Sequence, residues 1–127
     1  MVPPIRVLLV HDDAKLRHAL ATRLRDEPDI AVVGEVADGE SGIAHALALQ
    51  PDVVLMDINM PVMTGIEATQ RLHAQAPGIR ILGLSLHQDP DVVRLLRLAG
   101  AAGFIGKSEP LAVLLAAIRA LGRSDGQ

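Results

Sequence analysis

The 127-residue chain contains no cysteine, tryptophan or tyrosine, and Phe104 is its only aromatic residue. Without cysteine there is no disulfide and no thiolate metal site, which suits a reducing compartment. With a single aromatic ring, stacking on nucleobases or on a flavin has little to work with. No apolar run approaches the roughly 20 residues of a membrane span. The opening "MVPPIR" lacks the basic region and apolar core of a signal peptide. A Lys/Arg-rich run is also missing and the formal net charge is −3, so direct nucleic-acid binding is not expected of this chain. These absences point to a cytoplasmic protein away from the membrane.

What is abundant is Ala, Val, Leu and Ile. Half of the residues are hydrophobic, which argues against disorder and, at this length, for one domain with its own core. Short β-branched runs alternate with helical patterns. Strands are predicted at 5–10, 29–37, 52–57, 79–85 and 102–107, and helices at 14–27, 39–50, 64–76, 89–100 and 109–123. Leu16, Leu20 and Leu24 recur at i, i+4, i+8 and mark the apolar side of the first helix. The third strand, "DVVLMD", is apolar up to its last residue, as a strand buried on both faces would be. Asp89, Pro90 and Gly100 read as N-cap, first helical residue and C-terminal stop of the fourth helix, and Ser108 as the N-cap of the fifth. Five β–α units with short loops imply right-handed crossovers and an α/β fold with a parallel sheet covered on both faces.

In such sheets ligands sit beyond the carboxyl ends of the strands. There the sequence has His11, Asp12 and Asp13 after the first strand, Asp57 at the end of the third, Ser85 at the end of the fourth and Lys107 at the end of the fifth. Carboxylates, a hydroxyl and a lysine converging on one crevice suit a hard cation and a phosphoryl group. Each residue alone has an ordinary alternative. Asp12 and Asp13 could be helix-start acids, Asp57 a turn former, Ser85 a common strand-end residue and Lys107 a solvated lysine. The case rests on their joint occurrence at the correct strand ends.

The stretches "LLVHDD", "DVVLMDINMPVMTGIEA", "ILGLS" and "GFIGK" resemble, over nearly the whole chain, the receiver domain of bacterial two-component response regulators. The loop after Asp57 and "DVVRLLRLAGAAGFIGKSE" look most like the NarL/LuxR-type branch, whose members usually carry a C-terminal helix-turn-helix DNA-binding domain. The resemblance implies a flavodoxin-like sheet of order 2-1-3-4-5, a receiver over residues 1–122 and the start of a linker or tail at 123–127. It implies that Asp57 accepts a phosphoryl group from a sensor histidine kinase, with Mg²⁺ held by Asp12, Asp57 and the Asn59 carbonyl. Ser85 matches the switch hydroxyl, Lys107 the lysine that pairs with the phosphoryl group, and Phe104 the aromatic rotamer switch; a strand phenylalanine is equally readable as plain core. The protein would be a switch that promotes its own phosphorylation and dephosphorylation rather than an enzyme acting on other substrates.

Three positions depart from the family pattern. His11 stands where the first acid of the metal-binding pair belongs, with Asp13 as a potential substitute. Weaker Mg²⁺ binding that varies with pH near neutrality follows. Leu86, after the switch serine, replaces a small residue and is expected to restrict access to the acyl phosphate. Ser108 replaces the frequent proline after Lys107. The fifth helix, "PLAVLLAAI", carries no charge before Arg119. That points to a homodimer surface with the fourth or first helix, or else to an alanine-rich helix that exposes little area. Competing readings are a stand-alone receiver, a pseudo-receiver that only binds or dimerises, and an Mg²⁺-dependent phosphatase. The last would want a second acid where Asn59 stands. A flavodoxin-like FMN binder shares the topology but lacks the aromatics.

Overall fold

The computed structural model describes residues 2–86 and 89–123. Ten elements alternate strictly: β1 (Ile5–Val10), α1 (Ala14–Arg25), β2 (Ile30–Val36), α2 (Gly39–Leu49), β3 (Val53–Asp57), α3 (Gly65–Gln75), β4 (Arg80–Ser85), α4 (Pro90–Ala99), β5 (Gly103–Gly106) and α5 (Leu111–Arg123). All strand pairs are parallel and the sheet order is β2-β1-β3-β4-β5. This is the α/β arrangement expected from the sequence. No helix among the described residues is long and apolar enough to cross a membrane.

The period-2 alternation of the strands feeds two cores. Val7 and Leu9 of β1, Val53 and Leu55 of β3, and Leu82 and Leu84 of β4 point to one side, where they meet Leu24 of α1 and Leu114 and Ile118 of α5. Leu8, Val10, Val54, Met56 and Ile81 point to the other side, against Ala46 of α2 and Ala68 and Leu72 of α3. The β1 and β3 side chains in these sets are fully buried. Each contributes about 1.5–3 kcal/mol of apolar burial. β1 leads into His11 and Asp12, and β3 ends on Asp57.

Helix ends follow local chemistry. Asp13 caps α1 by accepting from the N–H groups of Lys15 and Leu16, Asp38 caps α2, Thr64 caps α3 and Asp89 caps α4, with Pro90 in the first turn. Gly100 ends α4 at φ 111°, a left-handed conformation that glycine adopts without strain. The expected N-cap role of Ser108 is not realised. Ser108 lies in a turn and α5 begins at Leu111, immediately after Pro110. Pro110 lacks an N–H and so is placed where no intrahelical hydrogen bond is asked of it. α5 ends at Arg123, where the predicted helix 109–123 ends, and 124–127 lie outside the described residues. Leu16 is not core either. It is 57% exposed, whereas Leu24 is fully buried.

The outer side of α5 carries Ala112, Val113, Ala116 and Ala120. Its inner side packs Leu114 and Ile118 into the core. The helix is therefore amphipathic in size rather than in charge. Arg119 locks it to the α1–β2 loop: its Nε and Nη2 donate to the two Asp29 oxygens at 2.7 and 3.0 Å, and Nη2 also donates to Glu27 Oε1 at 2.7 Å. Arg123 adds a 2.9 Å bond to Asp29.

Candidate functional site

Asp57 ends β3, fully buried at 0% exposed. A carboxylate taken out of water is costly unless paired. Its Oδ1 is paired twice, by Lys107 Nζ at 2.6 Å and by the Asn59 N–H at 3.1 Å. Its Oδ2 is buried with no hydrogen-bond partner. Lys107 reaches it from the turn just beyond β5, which is anchored by Lys107 N–H donating to the Ser85 carbonyl at 2.7 Å. Ser85 is buried at the end of β4, in register with Gly106. Asp57, Ser85 and Lys107 thus lie on adjacent strand ends, as the sequence pattern required.

His11 extends the end of β1. Its N–H donates to the Val36 carbonyl at 3.0 Å, and its own carbonyl accepts from Arg17 Nη1 at 2.7 Å. The imidazole is 6% exposed. Its Nδ1 accepts the Asp13 N–H at 3.1 Å and lies 3.6 Å from Asp57 Oδ2 and 3.8 Å from Asp12 Oδ1. Burial pushes the pKa of His11 below its ordinary value of 6.5, against the pull of the Asp57 charge. Burial thus favours the neutral ring. The pH dependence expected near neutrality belongs on the acid side of it.

Among the described residues, His11, Asp12 and Asp57 form one group whose donor atoms lie within 4.8 Å of one another. The orphaned Asp57 Oδ2 makes this group fit a divalent cation. Asp13, proposed from sequence as a supporting ligand, is turned away from it. Its Oδ1 accepts from Lys15 and Leu16 and is committed to capping α1. Asn59 is exposed, and its backbone N–H braces Asp57.

Phe104 is half-buried and belongs to neither core. It lines a small cavity of about 60 Å³ with Val93, Leu96 and Arg97 of α4. Leu86 is 62% exposed directly after β4.

Two features of the β3–α3 loop were not legible in the sequence. Gly65 packs so closely on β3 that a Cβ there would stand 2.2 Å from the Asp57 carbonyl oxygen. Val62 holds φ at 69° with its side chain fully in solvent. A β-branched residue is among the worst choices for that conformation, so its residue type gave no signal of it.

Comparison with known proteins agrees with this geometry. The model of the response regulator receiver domain matches residues 7–119. The transcriptional regulatory protein LiaR of Bacillus subtilis is 40% identical over 121 residues, which cover 95% of this chain and 57% of LiaR. The nitrate/nitrite response regulator protein NarL of Escherichia coli K12 is 39% identical over 105 residues, 82% of this chain and 48% of NarL. The chain thus spans about half the length of these relatives. The crystal structure of a LuxR-family two-component response regulator from Aurantimonas superposes with a TM-score of 0.88 at 33% identity, covering 92% of this chain and 84% of that one. With Asp57 buried between Lys107 and a cation-sized donor group, and the family model matched along most of the sequence, the chain belongs to the response regulator receiver domain family, in its NarL/LuxR-type branch.

Proposed function

We propose that Asp57 accepts a phosphoryl group from a phosphohistidine on a sensor histidine kinase, and that this acyl phosphate controls an output, transcription through a DNA-binding domain. The observation that carries the reading is the state of the Asp57 carboxylate. It is wholly buried, neutralised on Oδ1 by Lys107 and open on Oδ2. A structural aspartate in this position would have both oxygens satisfied. In the transfer, a carboxylate oxygen attacks phosphorus as the P–N bond to the kinase imidazole breaks, and the leaving imidazole is protonated. Lys107 offsets the charge that builds on the phosphoryl oxygens, and Asn59 N–H holds the carboxylate orientation. A divalent cation, Mg²⁺ in the family, would be held by Asp12, Asp57 and the Asn59 carbonyl and would supply further charge neutralisation.

The phosphoryl group then offers acceptors to Ser85, and Phe104 turns into the space this clears, which links the site to α4 and α5. Leu95 and Leu98 on α4 and Leu16 on α1 are exposed large hydrophobic residues. Together with the uncharged outer side of α5 they support homodimer formation by α5 with α4 or α1. The assembly works in the cytoplasm, where kinases of this class present their phosphohistidine.

Intact mass after incubation with a histidine kinase or a small acyl phosphate tests the reading. Gain of one phosphoryl group, lost in Asp57→Ala, supports it. Unmodified protein under every donor, with dimers still formed, favours the pseudo-receiver, the reading that His11 supports.

A further inference from the structure

The metal-binding group contains a nitrogen where the receiver pattern has oxygen, and that difference has a chemical consequence. His11 Nδ1, Asp12 Oδ1 and Asp57 Oδ2 converge, with Nδ1 3.6 Å from one carboxylate oxygen and 3.8 Å from the other. His11 is more than nine-tenths buried, so its ring is held in place by the fold. Asp57 Oδ2 is buried without a partner on the side that faces Nδ1. Nδ1 accepts a hydrogen bond from the Asp13 N–H at 3.1 Å, which requires Nδ1 to carry a lone pair rather than a proton. That is the ring form that ligates metals.

Mg²⁺ is a hard cation that takes oxygen ligands and keeps its waters. Imidazole nitrogen suits first-row transition cations, and affinity for mixed N/O sites rises from Mn²⁺ towards Cu²⁺, with Zn²⁺ also strong. From this juxtaposition we propose that the site is a nitrogen–oxygen centre, with His11 Nδ1 as a direct ligand beside Asp12 and Asp57, tuned to a transition cation such as Zn²⁺ rather than to Mg²⁺. The proposal rests on the phosphoacceptor reading only in that both use the Asp57 carboxylate.

Ligation displaces the Asp13 N–H from Nδ1. Asp13 is an exposed residue at the start of α1. The hydrogen bond given up is worth about a factor of five in an equilibrium constant, which a direct metal–imidazole bond exceeds.

Any carboxylate site binds Zn²⁺ more tightly than Mg²⁺, so absolute preference does not test this. The ratio does. Zn²⁺ and Mg²⁺ affinities are measured by competition on the intact unphosphorylated chain, for wild type, His11→Asp and His11→Asn. Imidazole ¹⁵N spectra are recorded through a Zn²⁺ titration, and circular dichroism checks each fold.

The expected result is a Zn²⁺:Mg²⁺ affinity ratio that falls at least tenfold in His11→Asp, with Mg²⁺ binding more tightly. Zn²⁺ binding falls at least tenfold in His11→Asn, and the His11 Nδ1 resonance shifts on Zn²⁺ addition to wild type. An unchanged ratio in folded His11→Asp, or Zn²⁺ binding that leaves the His11 Nδ1 resonance in place, overturns the proposal. Phosphorylation is scored separately by intact mass. Failure to phosphorylate Asp57 with the Nδ1 shift intact rejects the phosphoacceptor reading and leaves the metal centre standing.

Discussion

Replacing Gly65 by alanine adds one methyl group and is expected to damage both the fold and the site. The new Cβ would sit 2.2 Å from the Asp57 carbonyl oxygen, 2.6 Å from Ile58 Cα and 2.8 Å from the Asp57 carbonyl carbon. The shortest of these falls about 1.2 Å below the 3.4 Å at which ordinary contact begins. All three neighbours are backbone, so no rotamer change relieves the overlap. β3 cannot yield, since every residue from Val53 to Asp57 is fully buried. α3 must therefore move out, which breaks the 3.1 Å bond from Gly65 N–H to the Ile58 carbonyl.

Overpacking costs roughly 1–3 kcal/mol and the lost hydrogen bond about 1 kcal/mol. A loss of about 2–4 kcal/mol is expected, a large share of the roughly 5–15 kcal/mol of a whole domain. Shifting the loop ahead of α3, whose Asn59 N–H orients the Asp57 carboxylate, by about 1 Å would slow phosphoryl transfer by roughly 10²-fold. Urea unfolding measures the first effect and the rate of adduct formation by mass the second. Gly78→Ala is the control, because nothing lies within 4 Å of its added Cβ. A Gly65→Ala midpoint equal to that of Gly78→Ala, with wild-type phosphorylation, would refute the close-approach argument.

Val62→Asn should stabilise the protein. The left-handed conformation costs an ordinary residue roughly 1–2 kcal/mol, asparagine tolerates it, and the 104% exposed valine gives up no packing; an unchanged or lower urea midpoint contradicts this. Asp29 is held down to about 2, chiefly by its hydrogen bonds from Arg119. A depressed carboxylate stabilises the fold above its ordinary value of 3.8, and the contribution is lost as pH falls from 3.8 through about 2. Asp29→Asn should therefore flatten the acid limb of a stability–pH profile, whereas an unchanged limb at low salt would show that the pair carries nothing. Leu86→Ala should speed both phosphorylation by small donors and hydrolysis of the acyl phosphate, read by mass over time; unaltered rates would mean that Leu86 does not gate the site.

Much of this protein is written locally. Alternation in "VLLV" and "VVLM" divides each strand between two cores, and Asp13, Thr64 and Asp89 mark helix starts by short-range hydrogen bonds. The placement of Asp57, Ser85 and Lys107 at strand ends follows from that alternation, because a parallel sheet puts all such ends on one edge. Other features depend on residues distant in sequence. Leu16 repeats perfectly with Leu20 and Leu24 but is exposed, because which turns of a helix are covered is a tertiary property. Whether Asp13 or His11 faces Asp57 depends on where α1 begins, since the acid that caps the helix cannot also turn to the site. The left-handed backbone at Val62 leaves no mark on its residue type, and the glycine at 65 permits a close approach without saying to which strand. By itself the sequence determined the order of elements, the two-sided sheet and the residues at its carboxyl edge, because these are set by spacing and polarity. Only the tertiary structure decided which atoms of that edge are paired and which are left open, because a hydrogen bond needs its partner within about 3 Å, and chain spacing does not define distances on that scale.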